Sequence, residues 1–343
     1  MLKINDENSN FNLINQKHSK ISISKIIILF FLLLILIYPI SALQGAKQGL
    51  LLWFHTVLPT LLPFIILSNL IIRLKITNYL SKLLYPIFHF LFGVSYGACY
   101  PVLIGFLSGI PVGAKSVAEL VKDKSITLRE GQFLLGLCNN ASPMFIMSFI
   151  AISQLKVANL RFVLLGILYG SAILSSLLYF KVIDRIRCFL NPSSNNHSML
   201  SVMSFEETET RKMNKFDFRM LDSSIMDGFE VITKVGGYII LFSIPAKIII
   251  DLFSGDNALI LFIIGILEIT TGINSIAESG LDFNLKIVLI TMLTAFGGLS
   301  GLAQTKSVIN DTRLLIGTYL KVKVLQMLIA FFIIFLYVRF IIV

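Results

Sequence analysis

Charged residues are what this sequence has least of. Asp, Glu, Lys and Arg make up 14% of its 343 residues, against about 25% in a soluble domain. Hydrophobic residues fill the deficit at 56%, and the mean hydropathy is +0.84. That balance excludes a soluble globular protein and makes the chain an integral membrane protein. Cysteine is nearly as rare: Cys99, Cys138 and Cys188 are scattered, with no metal-ligand spacing and no disulfide framework. No H-E-x-x-H, G-x-S-x-G or Cys/His cluster is present. Hydrolase and metalloenzyme chemistry therefore have no residues to stand on, and neither catalysis nor a bound metal or other cofactor is expected. The net charge of +10 does not argue for nucleic acid. The basic residues sit mainly in the polar tail and loops, the usual positive-inside pattern, and no folded soluble domain is there to carry such binding.

What is there instead is a series of apolar runs. Residues 1–24 form a polar tail, and Lys25 leads into Ile26–Tyr38. A cleaved signal peptide is one alternative, since the small residues of SALQGA follow. The length of the tail and the membrane character of everything downstream favour an uncleaved first transmembrane helix, 25–44, with the N-terminus cytoplasmic. Residues 45–183 read as a first repeat plus its connecting helix, 184–220 as a cytoplasmic loop, and 221–343 as a second repeat. Within the first repeat, Gly45–Leu58 has the mixed pattern of an interfacial helix with Trp53 near headgroup level. Pro59–Ile72 then crosses, and Tyr79–Phe92 is again half-polar. In the second, Ile225–Lys234 is amphipathic, Val235–Ile250 crosses, Ala258–Ala277 is apolar around Glu268, and a last span covers Val324–Val343.

Two interrupted runs, one per half, resemble each other. Phe106–Val117 reads FLSGIPVGAKSV and Phe296–Val308 reads FGGLSGLAQTKSV. Paired Gly/Pro-interrupted apolar segments point to a transporter site, because a membrane helix unwinds only where its freed N–H and C=O groups find partners. Two further blocks align: Gly49–Ser68 with Ser224–Ser243, and Leu84–Ser95 with Ile263–Asn274, the latter setting His89 opposite Glu268. A cytoplasmic tail and central loop make the repeats start from opposite sides of the membrane. The fold expected is an all-α, polytopic membrane protein with inverted repeats, interfacial helices and broken or re-entrant helices, the broken segments folding back as hairpins.

GIPVGAKS, Gly109–Ser116, imitates a phosphate-binding G-x-x-x-x-G-K-[ST] loop, but Ala114 replaces its second Gly and no strand precedes it. What carries over is the physics of a helix start that attracts an anion. Ser108, Gly109, Pro111, Gly113, Lys115 and Ser116 in the first segment, with Gly298, Ser300, Gly301, Gln304 and Lys306 in the second, are the candidate substrate-binding residues. Each Lys could instead snorkel to the interface; their matching positions favour a site. A further break, NNASP, adds Asn139, Asn140 and Ser142 as ligands for a solute or a Na⁺ ion. Glu268, mid-way along an apolar run, is a candidate for coupling or gating, with His89 a weaker partner. Na⁺ and H⁺ are the candidate coupling ions.

In order, VLPTLLPFIILS, GFLSGIPVGAKSVAEL, REGQFLLGLCNNASPMFI, GILEITTGI and AFGGLSGLAQTKSV resemble the sporulation integral membrane proteins of the stage V, dipicolinate-transport type. These belong to the nucleoside-recognition (Gate) domain group, related to the concentrative nucleoside transporter core. The resemblance covers residues 45–343 and departs from the family pattern in the basic SGLAQTKS segment. It implies a carrier of endospore formers, placed in the outer forespore membrane and moving dipicolinate towards the spore. Lys115 and Lys306 would pair the two carboxylates of that planar dianion. The alternatives are a nucleoside or nucleobase transporter, or a non-transporting membrane scaffold for spore cortex assembly. The partners implied are membrane lipid and a small anionic solute, with a second copy of the chain or other sporulation membrane proteins as further candidates.

Overall fold

The computed structural model describes residues 23–190, 216–253 and 257–342. The polar tail up to residue 22, and residues 191–215 of the expected cytoplasmic loop, lie outside the described residues. Helix is the only regular structure among the described residues, as it must be for an open chain in hydrocarbon, where every backbone group has to find its partner within the segment. Among the described residues five helices are long and apolar enough to cross, Pro39–Arg73, Ala158–Ile183, Phe218–Leu252, Phe283–Ile309 and Ile316–Phe340, and the bent pair Tyr79–Phe92 and Tyr96–Ser108 makes a sixth if it counts as one span. The chain is an all-helical, multi-pass membrane protein.

Helix α1, Ile23–Ile37, belongs to a unit that ends at Pro39, and the rest of the chain to a second. Within the first span expected over 25–44, the described helix ends at Ile37 and Pro39 opens a new one. That helix, α2, runs unbroken through Pro39–Arg73 and is π-wound over Trp53–Val57. The expected interfacial helix at Gly45–Leu58 is not a separate element. Trp53 donates its Nε1–H to Ile232 O at 2.9 Å and covers Gly236. Its indole packs α2 against a helix of the second half.

Each half then follows one order: long helix, hairpin, broken helix, long helix. In the first half the hairpin is α4, Cys99–Ser108, with α5, Val112–Lys122; the broken helix is α6, Leu128–Cys138, with the π-wound α7, Phe145–Gln154; and α8, Arg161–Leu190, closes it. An added helix, α3, Ile76–Phe92, precedes the hairpin and turns the chain by 104° into it. It turns Tyr79, Leu83, Ile87 and Phe90 outward at helical spacing, the stripe of a helix lying in an interface. In the second half α9, Phe218–Leu252, is the first long helix, α10, Ala258–Leu267, and α11, Ile269–Glu278, are the hairpin, α12, Phe283–Phe296, and α13, Gly298–Ile309, the broken helix, and α14, Ile316–Tyr337, the last.

Glycine lets both hairpins close. A Cβ on Gly113 would lie 3.0 Å from Gly105 Cα, and one on Gly272 would collide with the backbone of Gly265. The arms of each hairpin thus touch backbone to backbone, at one glycine from each arm. The broken helix of the first half runs antiparallel along α8. Phe145 and Phe149 share a core with Leu164 and Leu168, whereas Phe133 meets the ring of Phe180 at 5.5 Å. Sixteen residues of α8 between Leu164 and Phe180 cover about 24 Å, most of a membrane.

One expectation changes. The look-alike segments do not occupy equivalent places: GIPVGAKSV is the tip and second arm of a hairpin, whereas FGGLSG interrupts a 27-residue span, Phe283–Ile309. The second hairpin is instead Ala258–Glu278, and its tip is Glu268. Hairpin tips and mid-span breaks both need Gly and small polar residues, so the two look alike in sequence.

Candidate functional site

Both hairpin tips and both breaks converge on one cavity of about 80 Å³. Ser108 and Ile110 come from the first hairpin, Ala141, Ser142 and Phe145 from the first break. The second hairpin contributes Glu268, Ile269 and Thr270, and the second broken helix Thr294, Gly297, Ser300, Gly301 and Gln304. Val57, Leu61 and Ile65 of α2, with Val235 and Ile239 of α9, form an apolar wall. A cavity with one greasy side and a few polar groups opposite is the usual form of a small-molecule site.

The first hairpin tip is fastened to the first break. Ile110 N–H donates to Asn140 O at 2.9 Å, and Ala114 N–H to Asn139 Oδ1 at 3.3 Å. Tyr169 of α8 places its hydroxyl 2.8 Å from Phe106 O and 3.2 Å from Ala141 O, which ties the hairpin and the break together. Asn139 is the hub. Its Nδ2 donates to Thr305 Oγ1 at 2.8 Å and to Tyr319 Oη at 2.9 Å, and Tyr319 returns its own proton to Asn139 O at 3.0 Å. Every polar atom of that amide is satisfied, as burial in a low-dielectric interior demands.

The second hairpin tip carries the charge. Glu268 is 1% exposed and caps α11. Its carboxylate accepts Thr271 N–H at 2.6 Å and the hydroxyls of Thr270 at 3.1 Å and Ser300 at 3.3 Å. The Ser300 bond joins the second hairpin to the second break across the cavity's edge.

Two features of the lining stand open to a ligand. Ser108 Oγ is buried and has no hydrogen-bond partner. The start of α13 has no side-chain cap, and Gly297, Ser300 and Gly301 of that turn border the cavity. A helix start without a cap presents N–H groups and a partial positive charge.

The chain is similar to a sporulation membrane protein. It is 26% identical over 325 residues, 87% of this chain and 78% of the relative, to the Sporulation integral membrane protein YlbJ of Bacillus subtilis (strain 168). No protein-family model matches the chain, and no solved structure matches it.

Of the residues singled out from sequence, Ser108, Ser142, Ser300, Gly301, Gln304 and Glu268 border the cavity. Gly109, Pro111, Gly113 and Ser116 build the hairpin behind it; Ser116 Oγ, for example, bonds Gly113 O at 2.9 Å. Asn139 and Asn140 brace the break, and Gly298, at φ 70°, lets α13 approach Ile269 of the second hairpin.

Lys115 and Lys306 do not reach the cavity. Both are exposed, and Lys115 lies within electrostatic reach of Glu230 on α9. Helical rotation explains this: Ala114, Ser116 and Val117 face inward, as do Gln304 and Thr305, and the intervening or following Lys turns out. His89 is not paired with Glu268 either. Its Nδ1 sits 3.0 Å from Val94 O, in the turn that ends α3.

Thr270, Thr294, Tyr319, Lys323 and Gln326 are also buried, and none of them stands in a motif that marks it in the sequence. The last three lie before or just inside the expected boundary of the final span. That span begins at Ile316 rather than Val324, which brings Lys323 into the protein interior.

Proposed function

We propose that this chain is a solute carrier acting in spore formation, and that it takes a small planar acid, dipicolinate, through the cavity between the hairpin tips and the breaks. The observation that carries the proposal is the convergence of two hairpins and two broken helices on one partly polar cavity. Irregular backbone at membrane depth is tolerated only around protein, water or a ligand, and carriers use such breaks to hold what they move. The similarity to a sporulation integral membrane protein supports the cellular setting, and the outer forespore membrane is the proposed location.

With Lys115 and Lys306 outside, the carboxylates of the acid fall to the uncapped start of α13 and to the hydroxyls of Ser108 and Ser300. Glu268 would stand beside them and disfavour a full dianion. A second reading has its own support. No Lys or Arg borders the cavity, while Glu268 and Gln304 do, and these would accept from the hydroxyls and amide edge of a nucleoside.

Uptake into proteoliposomes separates the readings. Saturable uptake of labelled dipicolinate, inhibited by unlabelled dipicolinate and not by uridine, is the expected result. Uptake of uridine with no uptake of dipicolinate would select the nucleoside reading. Uptake of neither would leave the protein a membrane scaffold.

A further inference from the structure

We propose that Lys323 is a built-in cation. Its ammonium holds the place that a free monovalent cation would otherwise take beside the two helix breaks, so that the fold needs no sodium ion.

Among the described residues, Glu268 and Lys323 are the only buried carboxylate and amine. They are not partners. Glu268 is occupied by Thr270, Thr271 and Ser300, whereas Lys323 Nζ donates to Asn140 Oδ1 at 3.0 Å and to Gln326 Oε1 at 2.6 Å. Both acceptors are neutral amide oxygens, the kind of ligand that hard cations take. A buried charge with only neutral partners is costly in a membrane protein, so the surroundings must supply negative potential.

Two half-helix ends supply it. Asn140, which holds the ammonium through its oxygen, donates its Nδ2–H to Leu137 O at 2.7 Å, in the last turn of α6. Gly297, the C-cap of α12, lies alongside the lysine stem, where an added Cβ would meet Lys323 Cε at 3.8 Å. The C-terminal ends of both broken half-helices, each carrying partial negative charge, thus flank one ammonium. In broken-helix carriers such ends and unwound carbonyls coordinate the coupling cation. Here a side chain from α14 is fixed at that place. Gln326 completes the setting by donating Nε2–H to Leu168 O at 3.2 Å, which anchors the second oxygen to α8.

The inference is independent of which solute is carried and is tested without transport. The full-length protein is purified, and its melting temperature is measured in sodium chloride and in choline chloride at equal ionic strength. The wild type is expected to melt alike in both. Lys323→Ala opens a site lined by two oxygens and should melt at least about 5 °C lower in choline chloride. It should recover saturably as sodium replaces choline, as a bound ligand requires. Lys323→Met fills the same space without charge and should show no sodium effect. Lys321→Ala, at an exposed neighbour, should behave as wild type in both salts. Saturable stabilisation of the wild type by sodium would overturn the proposal. So would a Lys323→Ala protein that behaves identically in the two salts, folded or not.

Discussion

Glu268 occupies a position where a membrane protein tolerates a carboxylate only with full hydrogen bonding, and Thr270, Thr271 and Ser300 provide it. The same carboxylate borders the cavity, which makes its substitution informative about the solute. Glu268→Gln removes a like charge from beside a bound acid and should tighten dipicolinate binding at least about 10-fold, read by equilibrium binding to the purified protein. Weaker binding of uridine in the same variant would instead mark loss of an acceptor for a nucleoside. Asn139 and Lys115 form a second contrast. Asn139→Ala strands the Ala114 N–H and empties the hub, at a cost on the order of 1–3 kcal/mol, visible as a lowered melting temperature. Lys115→Ala, at an exposed site, should change stability by no more than about 0.5 kcal/mol and leave uptake within roughly twofold. Sequence made Lys115 and Lys306 look decisive because the string Lys-Ser-Val recurs. Side-chain direction at those positions follows from which neighbours are buried, and that depends on tertiary packing. Lys323 was hidden for the opposite reason, since a lysine near the start of an apolar run usually snorkels.

At the scale of the elements, the hairpins depend on backbone contact at glycine. Gly272→Val puts a branched side chain into the backbone of Gly265 and should abolish the monodisperse, folded species on size-exclusion chromatography. Gly166→Ala, in α8 with nothing within 4 Å of the added carbon, should be neutral or slightly stabilising, by up to about 1 kcal/mol. Equal behaviour of the two variants would remove the argument for tight hairpin arms. Three of the breaks are legible in sequence, at GIP, NNASP and FGG; the turn at Glu268 is not, since Ala258–Ala277 reads as one apolar segment around it. What each interruption becomes was not legible. A turn back and a break within a crossing use the same small and polar residues, and the choice is made by what packs alongside, such as α8 behind the first broken helix. The long helices α2 and α9 each look like two elements in sequence for a related reason. Their polar residues, such as Ser224 and Ser243, face neighbouring helices and are buried, so a mixed pattern marks helix–helix packing there rather than an interface with water.

The two halves follow the same order of helices, and their interrupted segments meet at one place. Four interruptions of regular backbone would each be unfavourable alone, and gathering them at one place allows Asn139, Tyr319, Thr305 and Glu268 to satisfy the freed groups together. That arrangement also fixes where a solute can be held, and the account stands on that cavity being the path. Gly301 gives the most direct measurement. It borders the cavity, and a Cβ added there meets only Ile110 Cδ1, at 3.8 Å, so a side chain at this position starts without a clash and the indole of Gly301→Trp occupies the space a solute would take. Labelled dipicolinate uptake is compared in proteoliposomes of wild type and Gly301→Trp at matched protein content and matched melting temperature. The account predicts saturable uptake by the wild type and a fall to background in the plugged variant. Undiminished uptake by Gly301→Trp would contradict it.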